Sequence, residues 1–126
     1  GNQLPMEAQL THKNELGQIA MVSIFMIEGR FNPFIEKIWA HLPGEKLGSR
    51  FVPSLLMNAK DILPEPKTHY FYVGSLTNPP CTESVRWYVF NTPLELSREQ
   101  IVAFRKLYQN NSRPVQPLNK RRVVNF

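Results

Sequence analysis

The segment Gly74-Ser75-Leu76-Thr77-Asn78-Pro79-Pro80-Cys81-Thr82 constrains the shape of this chain more than any other. It joins two strand-forming runs. The first, Thr68 to Val73, is rich in aromatics (His69, Tyr70, Phe71, Tyr72). The second, Glu83 to Phe90, places Val85, Trp87 and Val89 on one face at a spacing of two. Adjacent prolines remove two backbone donors and fix two φ angles, so the connection is stiff and irregular, unlike a tight hairpin turn. A Pro-Pro bond is also a place where a cis peptide can serve as a built-in bend. Sheet around a rigid polar loop is therefore the expected theme.

The remaining segments fit that theme. From Pro5 to His12, Met6, Ala8 and Leu10 alternate with Glu7, Gln9 and Thr11, which predicts a strand with one apolar and one polar face. Lys13 to Gly17 reads as a hairpin connection, and Ile19 to Ile27 is apolar on both faces apart from Ser23, as a central buried strand would be. Asn32-Pro33 predicts a helix start, Ile35, Ile38, Trp39 and Leu42 follow at helical spacing, and Pro43 ends the element. Pro43 to Lys67 is a long connection with four prolines and one short helical candidate, Ser54 to Ala59. Ser97-Arg98-Glu99-Gln100 is a capping box, opening a helix whose stripe is Ile101, Phe104 and Tyr108. The last stretch holds an extended Arg113-Pro114-Val115-Gln116-Pro117 and a short Val123-Val124 strand.

At 126 residues the chain has the length of one domain, and 42% hydrophobic with 11% aromatic residues excludes a disordered or collagen-like polymer. No apolar run approaches the roughly 18 residues of a membrane span. The start, Gly1-Asn2-Gln3-Leu4-Pro5, has no charged and apolar leader pattern; a processed or truncated start would read the same. Fifteen basic against ten acidic residues give +5, yet the excess is diffuse except at Lys120-Arg121-Arg122. That distribution predicts a solvated basic tail and no nucleic-acid partner, which would require a longer basic stripe interleaved with aromatics. A single cysteine, Cys81, allows no internal disulfide. It is a buried thiol, a reactive thiol, or half of a bridge whose partner lies elsewhere.

Chemistry is sparse at this level. His12, His41 and His69 lie far apart, and no pair has the spacing that aims two imidazoles at one metal. There is no Gly-rich phosphate loop and no Gly-x-Ser-x-Gly nucleophile turn. From the residues alone, no complete catalytic constellation emerges.

The segment Gly74 to Glu83, with Val85 and Trp87 after it, closely resembles the signature loop of α-class carbonic anhydrases, in particular their bacterial branch. Arg113-Pro114-Val115-Gln116-Pro117-Leu118-Asn119 resembles that family's C-terminal segment, and Pro5-Met6-Glu7-Ala8 the strand carrying its third zinc histidine. The resemblance implies a mostly β fold with a few α-helices around a central, mainly antiparallel sheet. It implies further that residues 1–126 are the C-terminal portion of a single such domain, incomplete at the N-terminal side. The family's reaction is the reversible, zinc-dependent hydration of carbon dioxide to bicarbonate. Its His-x-His pair, its shuttle histidine and the glutamate that orients the reactive threonine would all precede Gly1.

Carried over position by position, the resemblance makes Gln9 the occupant of the third zinc-histidine position, so no metal ligand is expected in this chain. Glu7 matches the carboxylate that holds that histidine by its far nitrogen. His12, three residues from Gln9, falls on the opposite strand face and matches a histidine that does not bind metal. Thr77 matches the threonine that aligns the attacking hydroxide, and Asn78 a polar wall position. Thr11, Met21, Leu76, Val85 and Trp87 match the substrate pocket's wall, with Thr11 and Met21 standing where valines are common. Cys81 matches a cysteine that bacterial relatives bridge to their N-terminal part, implying an oxidising, periplasmic or secreted location. The expectation is a chain inactive by itself, binding no zinc alone, with carbon dioxide or bicarbonate as partners only if complemented by the missing N-terminal segment. The alternative is a non-catalytic carbonic-anhydrase-related binding or structural module. Exposed sheet edges predict a homo-oligomer formed by strand exchange.

Overall fold

Strand β2 (Ile19–Glu28) organises the sheet, because it is hydrogen-bonded to three other strands. The computed structural model describes residues 3–44, 51–53 and 55–126. β1 (Met6–Lys13) pairs with β2 antiparallel along its whole length, from Met6 opposite Met26 to Lys13 opposite Ile19. The hairpin closes through Asn14 N–H to Gln18 O at 3.1 Å and Gly17 N–H to Asn14 O at 3.0 Å. Gly17 has φ 77°, which this turn requires and which a side chain would strain.

β3 (His69–Ser75) and β4 (Glu83–Phe90) form the aromatic antiparallel pair. The far side of β2 holds β4, through Ala20–Ser23, and then β5 (Leu94–Leu96), through Met26–Glu28. Both run parallel to β2. β6 (Val124–Asn125) flanks β3, giving the order β1-β2-β4-β3-β6. The sheet is therefore mixed and mainly antiparallel, as expected, with its parallel pairings confined to β2. Parallel neighbours need a long crossover, and the stretch between β2 and β3 supplies it.

Two apolar layers lie on opposite faces. On one, Ile24, Met26 and Phe90 pack with Leu96, Ile62, Ile35 and Ile101. Ile35 belongs to helix α1 (Pro33–Trp39) and Ile101 to helix α2 (Arg98–Leu107). Asn32 caps α1 by accepting from Phe34 and Ile35 N–H, both at 3.1 Å, and the expected Ser97/Gln100 capping box opens α2. Gln100, buried, also donates to Asn32 O at 2.8 Å and accepts from Asn32 N–H at 3.0 Å, tying the two helix starts together. The indole N–H of Trp39 donates to Gln100 O at 2.7 Å.

Two expectations shift, and one strand was not foreseen. The helical turn predicted for Ser54–Ala59 is a 3-10 turn at Ala59–Ile62; Ser54 itself lies outside the described residues. Asn58 accepts from Lys60 N–H at 3.0 Å, so it caps the turn from outside instead of lying within a helix. The final strand is Val124–Asn125, where Val123–Val124 was predicted, because Phe126 exchanges backbone hydrogen bonds with His69 and sets the register. Strand β5 carries no pattern of its own that would announce it. The Pro79-Pro80 bond is cis, and so is Glu65-Pro66.

Candidate functional site

The second face of the sheet collects the residues singled out by the signature loop. The strand registers lay out two rows across it. Thr11, Met21, Trp87 and Tyr72 are successive neighbours in one, and Gln9, Ser23, Val89 and Tyr70 in the next. Met21, Val85 and Trp87 form a buried apolar cluster against which Leu76 and Tyr72 pack. Four of the five predicted wall residues thus touch one another, and exposed Thr11 stands opposite Met21 at the edge.

The loop carrying Thr77 is held at several points. Leu76 N–H donates to Thr82 O at 2.9 Å and Cys81 N–H to Asn78 O at 2.8 Å, closing it on itself. The indole N–H of Trp87 donates to Ser75 O at 3.0 Å. Arg113, from the chain's final extended stretch, donates to Ser75 Oγ at 3.2 Å and to Leu76 O at 3.3 Å. Thr77 is half-buried beside the apolar wall and Asn78 is exposed. Cys81 is a free, partly exposed thiol at φ 57°.

Glu7 and Gln9 lie on this same face, both exposed. Glu7 accepts a short hydrogen bond from Ser23 Oγ, at 2.5 Å, and Ser23 has no exposed surface. The carboxylate thus serves a buried hydroxyl of the neighbouring strand. His12 sits on the other face, opposite Ala20, as the strand period required. Its Nδ1–H donates to Leu10 O, while His41 and His69 donate to Lys37 O and Lys67 O in the same local manner. Among the described residues no three His, Cys, Asp or Glu side chains converge. With an amide at position 9 and no imidazole on this face near it, these side chains do not fit a zinc centre.

Three contributors to the site escaped the sequence reading. Tyr72 stacks on Trp87, with centroids 6.0 Å apart and planes 4° from parallel. Burial and the nearby Glu7 charge raise its phenol pKa, and Arg121 partly opposes them. Gly74 leaves room for that stack: a Cβ there would lie 2.8 Å from a Tyr72 ring carbon. Arg121 is the third. The basic run was expected to be solvated, yet Arg121 is half-buried, donates to Pro117 O and Leu118 O, and sits 5.9 Å from the Tyr72 centroid. A tyrosine two residues before a glycine in a strand was the available signal for the first pair. Nothing local announces the arginine. A separate cleft of about 660 Å³ lies at the hairpin end, lined by His12, Lys13, Glu83 and Arg86 among others.

Comparison with known proteins fits this geometry. A carbonic anhydrase from Nostoc sp. is 39% identical over 98% of this chain and 47% of its own length. The solved α-carbonic anhydrase of Thermovibrio ammonificans, in complex with the inhibitor sulfanilamide, is 44% identical, with TM-score 0.87 over 93% of this chain and 52% of that one. Dioscorin DB3S of Dioscorea polystachya is 30% identical over this whole chain and 49% of its own. The chain thus spans about half the length of the curated relatives it matches. The family description "eukaryotic-type carbonic anhydrase" matches residues 1–126, and the chain belongs to that family.

Proposed function

We propose that residues 1–126 are the C-terminal portion of a single α-carbonic-anhydrase-type domain, and that this portion does not hydrate carbon dioxide by itself. The observation that carries the reading is Gln9. It stands in the wall-facing row with Glu7 beside it, and it offers a neutral amide oxygen where the family resemblance places an imidazole. The apolar cluster of Met21, Leu76, Val85 and Trp87 is suited to a small apolar substrate such as carbon dioxide. The Thr77 hydroxyl and backbone N–H, with Asn78 beyond them, supply the polar side for bicarbonate. Thr11 and Glu7 complete the rim. Cys81, a partly exposed free thiol, is proposed to pair with a cysteine of a preceding segment, a reading that favours a periplasmic or secreted location.

A hydration assay on the 126-residue chain with added zinc tests this. The expected rate equals that of buffer, and turnover inhibited by a sulfonamide would overturn the reading. Gln9→His, placed in a chain that also carries a His-x-His segment, is expected to raise bound zinc measured by atomic emission. A second reading, a non-catalytic binding or structural module, is favoured by Gln9 and by the likeness to a dioscorin. Unchanged zinc content after Gln9→His in that longer chain would select it.

A further inference from the structure

Glu7 and Gln9 lie two residues apart on β1, so both side chains leave the same face of the sheet. Ser23 of β2 stands directly opposite Gln9, while Glu7 faces Phe25. Ser23 is therefore the cross-strand neighbour of Gln9 and the diagonal neighbour of Glu7, a separation that a long side chain spans. The hydrogen bonding follows the diagonal. Ser23 Oγ donates to Glu7 Oε1 at 2.5 Å, and among the described residues the Gln9 amide is bonded to neither.

This arrangement is hard to undo. Ser23 has no exposed surface, so bulk water cannot replace Glu7 as the acceptor. Breaking the bond leaves a hydroxyl buried without a partner, and the bond itself is of the stronger, charge-assisted kind. One carboxylate oxygen is thereby committed to β2.

An imidazole that binds metal through one ring nitrogen carries its proton on the other. An acceptor that holds this proton fixes both the tautomer and the direction of the ring. Glu7 is the carboxylate placed to do so for position 9, since Ser23, Val89 and Tyr70 fill the rest of that row. On the reading that Gln9 is an altered zinc position, we propose that Ser23 is a positioning residue acting against metal. It holds the Glu7 carboxylate to β2, so the position is altered at two residues, and an imidazole restored at 9 lacks the acceptor that orients it.

NMR of isotope-labelled histidine tests this on the metal-free 126-residue chain carrying Gln9→His, at a pH where the ring is neutral. With Ser23 in place, the new ring is expected to populate both neutral tautomers and to exchange its N–H freely with water. Adding Glu7→Gln changes neither. Adding Ser23→Ala instead releases the carboxylate: one tautomer is selected, and the N–H exchanges roughly tenfold more slowly. Glu7→Gln on top of Ser23→Ala abolishes that protection. His12, His41 and His69, each beside a backbone carbonyl of its own segment, keep their signals and serve as references.

A tautomer that responds to Glu7→Gln while Ser23 is present overturns the proposal, because the carboxylate then serves position 9 already. A ring unmoved by Ser23→Ala overturns it as well. The Glu7→Gln comparison leaves the buried serine untouched, so it decides the matter even where Ser23→Ala unfolds the chain. Neither metal nor turnover enters the measurement, which keeps its failure distinct from a failure of the hydration assay.

Discussion

Ser23 and Glu7 are joined across adjacent strands: a hydroxyl with no exposed surface donates to a carboxylate that itself reaches solvent. Apart from Glu28 at its end, Ser23 is the one polar residue of β2, and Glu7 is its link to the outside. A hydrogen bond to an ionised acceptor is worth more than a neutral one. Ser23→Ala is therefore expected to lower unfolding stability by about 1.5 kcal/mol. Glu7→Gln, which keeps an acceptor oxygen, should cost less. Urea unfolding of both variants and of the pair, read as a double-mutant cycle, checks this.

Gly74→Ala should destabilise by about 1–3 kcal/mol, the usual cost of overpacking. The added Cβ would lie 2.8 Å from the Tyr72 ring and 3.3 Å from Trp87, and neither ring is free to yield because they stack on each other. Thermal melts of Gly74→Ala with and without Tyr72→Ala separate the effects. The alanine at 74 should cost little once the ring is gone.

Arg113→Ala should loosen the Thr77 loop while leaving the sheet intact. Its guanidinium is exposed, so global stability should fall by no more than about 1 kcal/mol. The amides of Leu76 and Cys81, bonded within the loop, should exchange faster with deuterium, while those of Val85 and Trp87 keep their rates.

Tyr72 gives an alkaline signature. Burial, and then the Glu7 charge, raise its pKa, so folding favours the neutral phenol. That contribution is complete below the ordinary tyrosine value of about 10 and is lost as pH rises through the folded-state value. Tyr72→Phe should lack this part of the alkaline loss of stability. Melting temperature against pH, alongside tyrosinate absorbance, compares the two proteins.

Much of the architecture was legible because its signals are local. The alternation around Glu7 and Gln9 placed both on the face opposite Ala8 and Leu10, and the Ser97–Gln100 box placed the start of α2. Spacing put Val85 and Trp87 on one face, whereas their grouping with Thr77 as a wall came from the family resemblance. What escaped depends on distance along the chain. β5 exists because β2 continues past the end of its pairing with β4, leaving backbone groups to be met. Arg121 reaches Tyr72 only after the chain has turned back at Leu118, so a basic run that looked solvated contributes one half-buried contact. The partner of Ser23 could not be read either, since a strand pattern says which face a residue takes and not which neighbour it bonds.

The bracing of the Thr77 loop by Arg113 sets an order of events during synthesis. Pro79 and Pro80 leave the ribosome well before the arginine that holds Ser75 and Leu76 in place. Until that later segment has emerged, the loop rests on its own two hydrogen bonds and on Trp87. A translating chain therefore finishes its wall before it finishes its loop, and a polypeptide halted between Phe90 and Arg113 carries the wall residues without the latch that braces the loop.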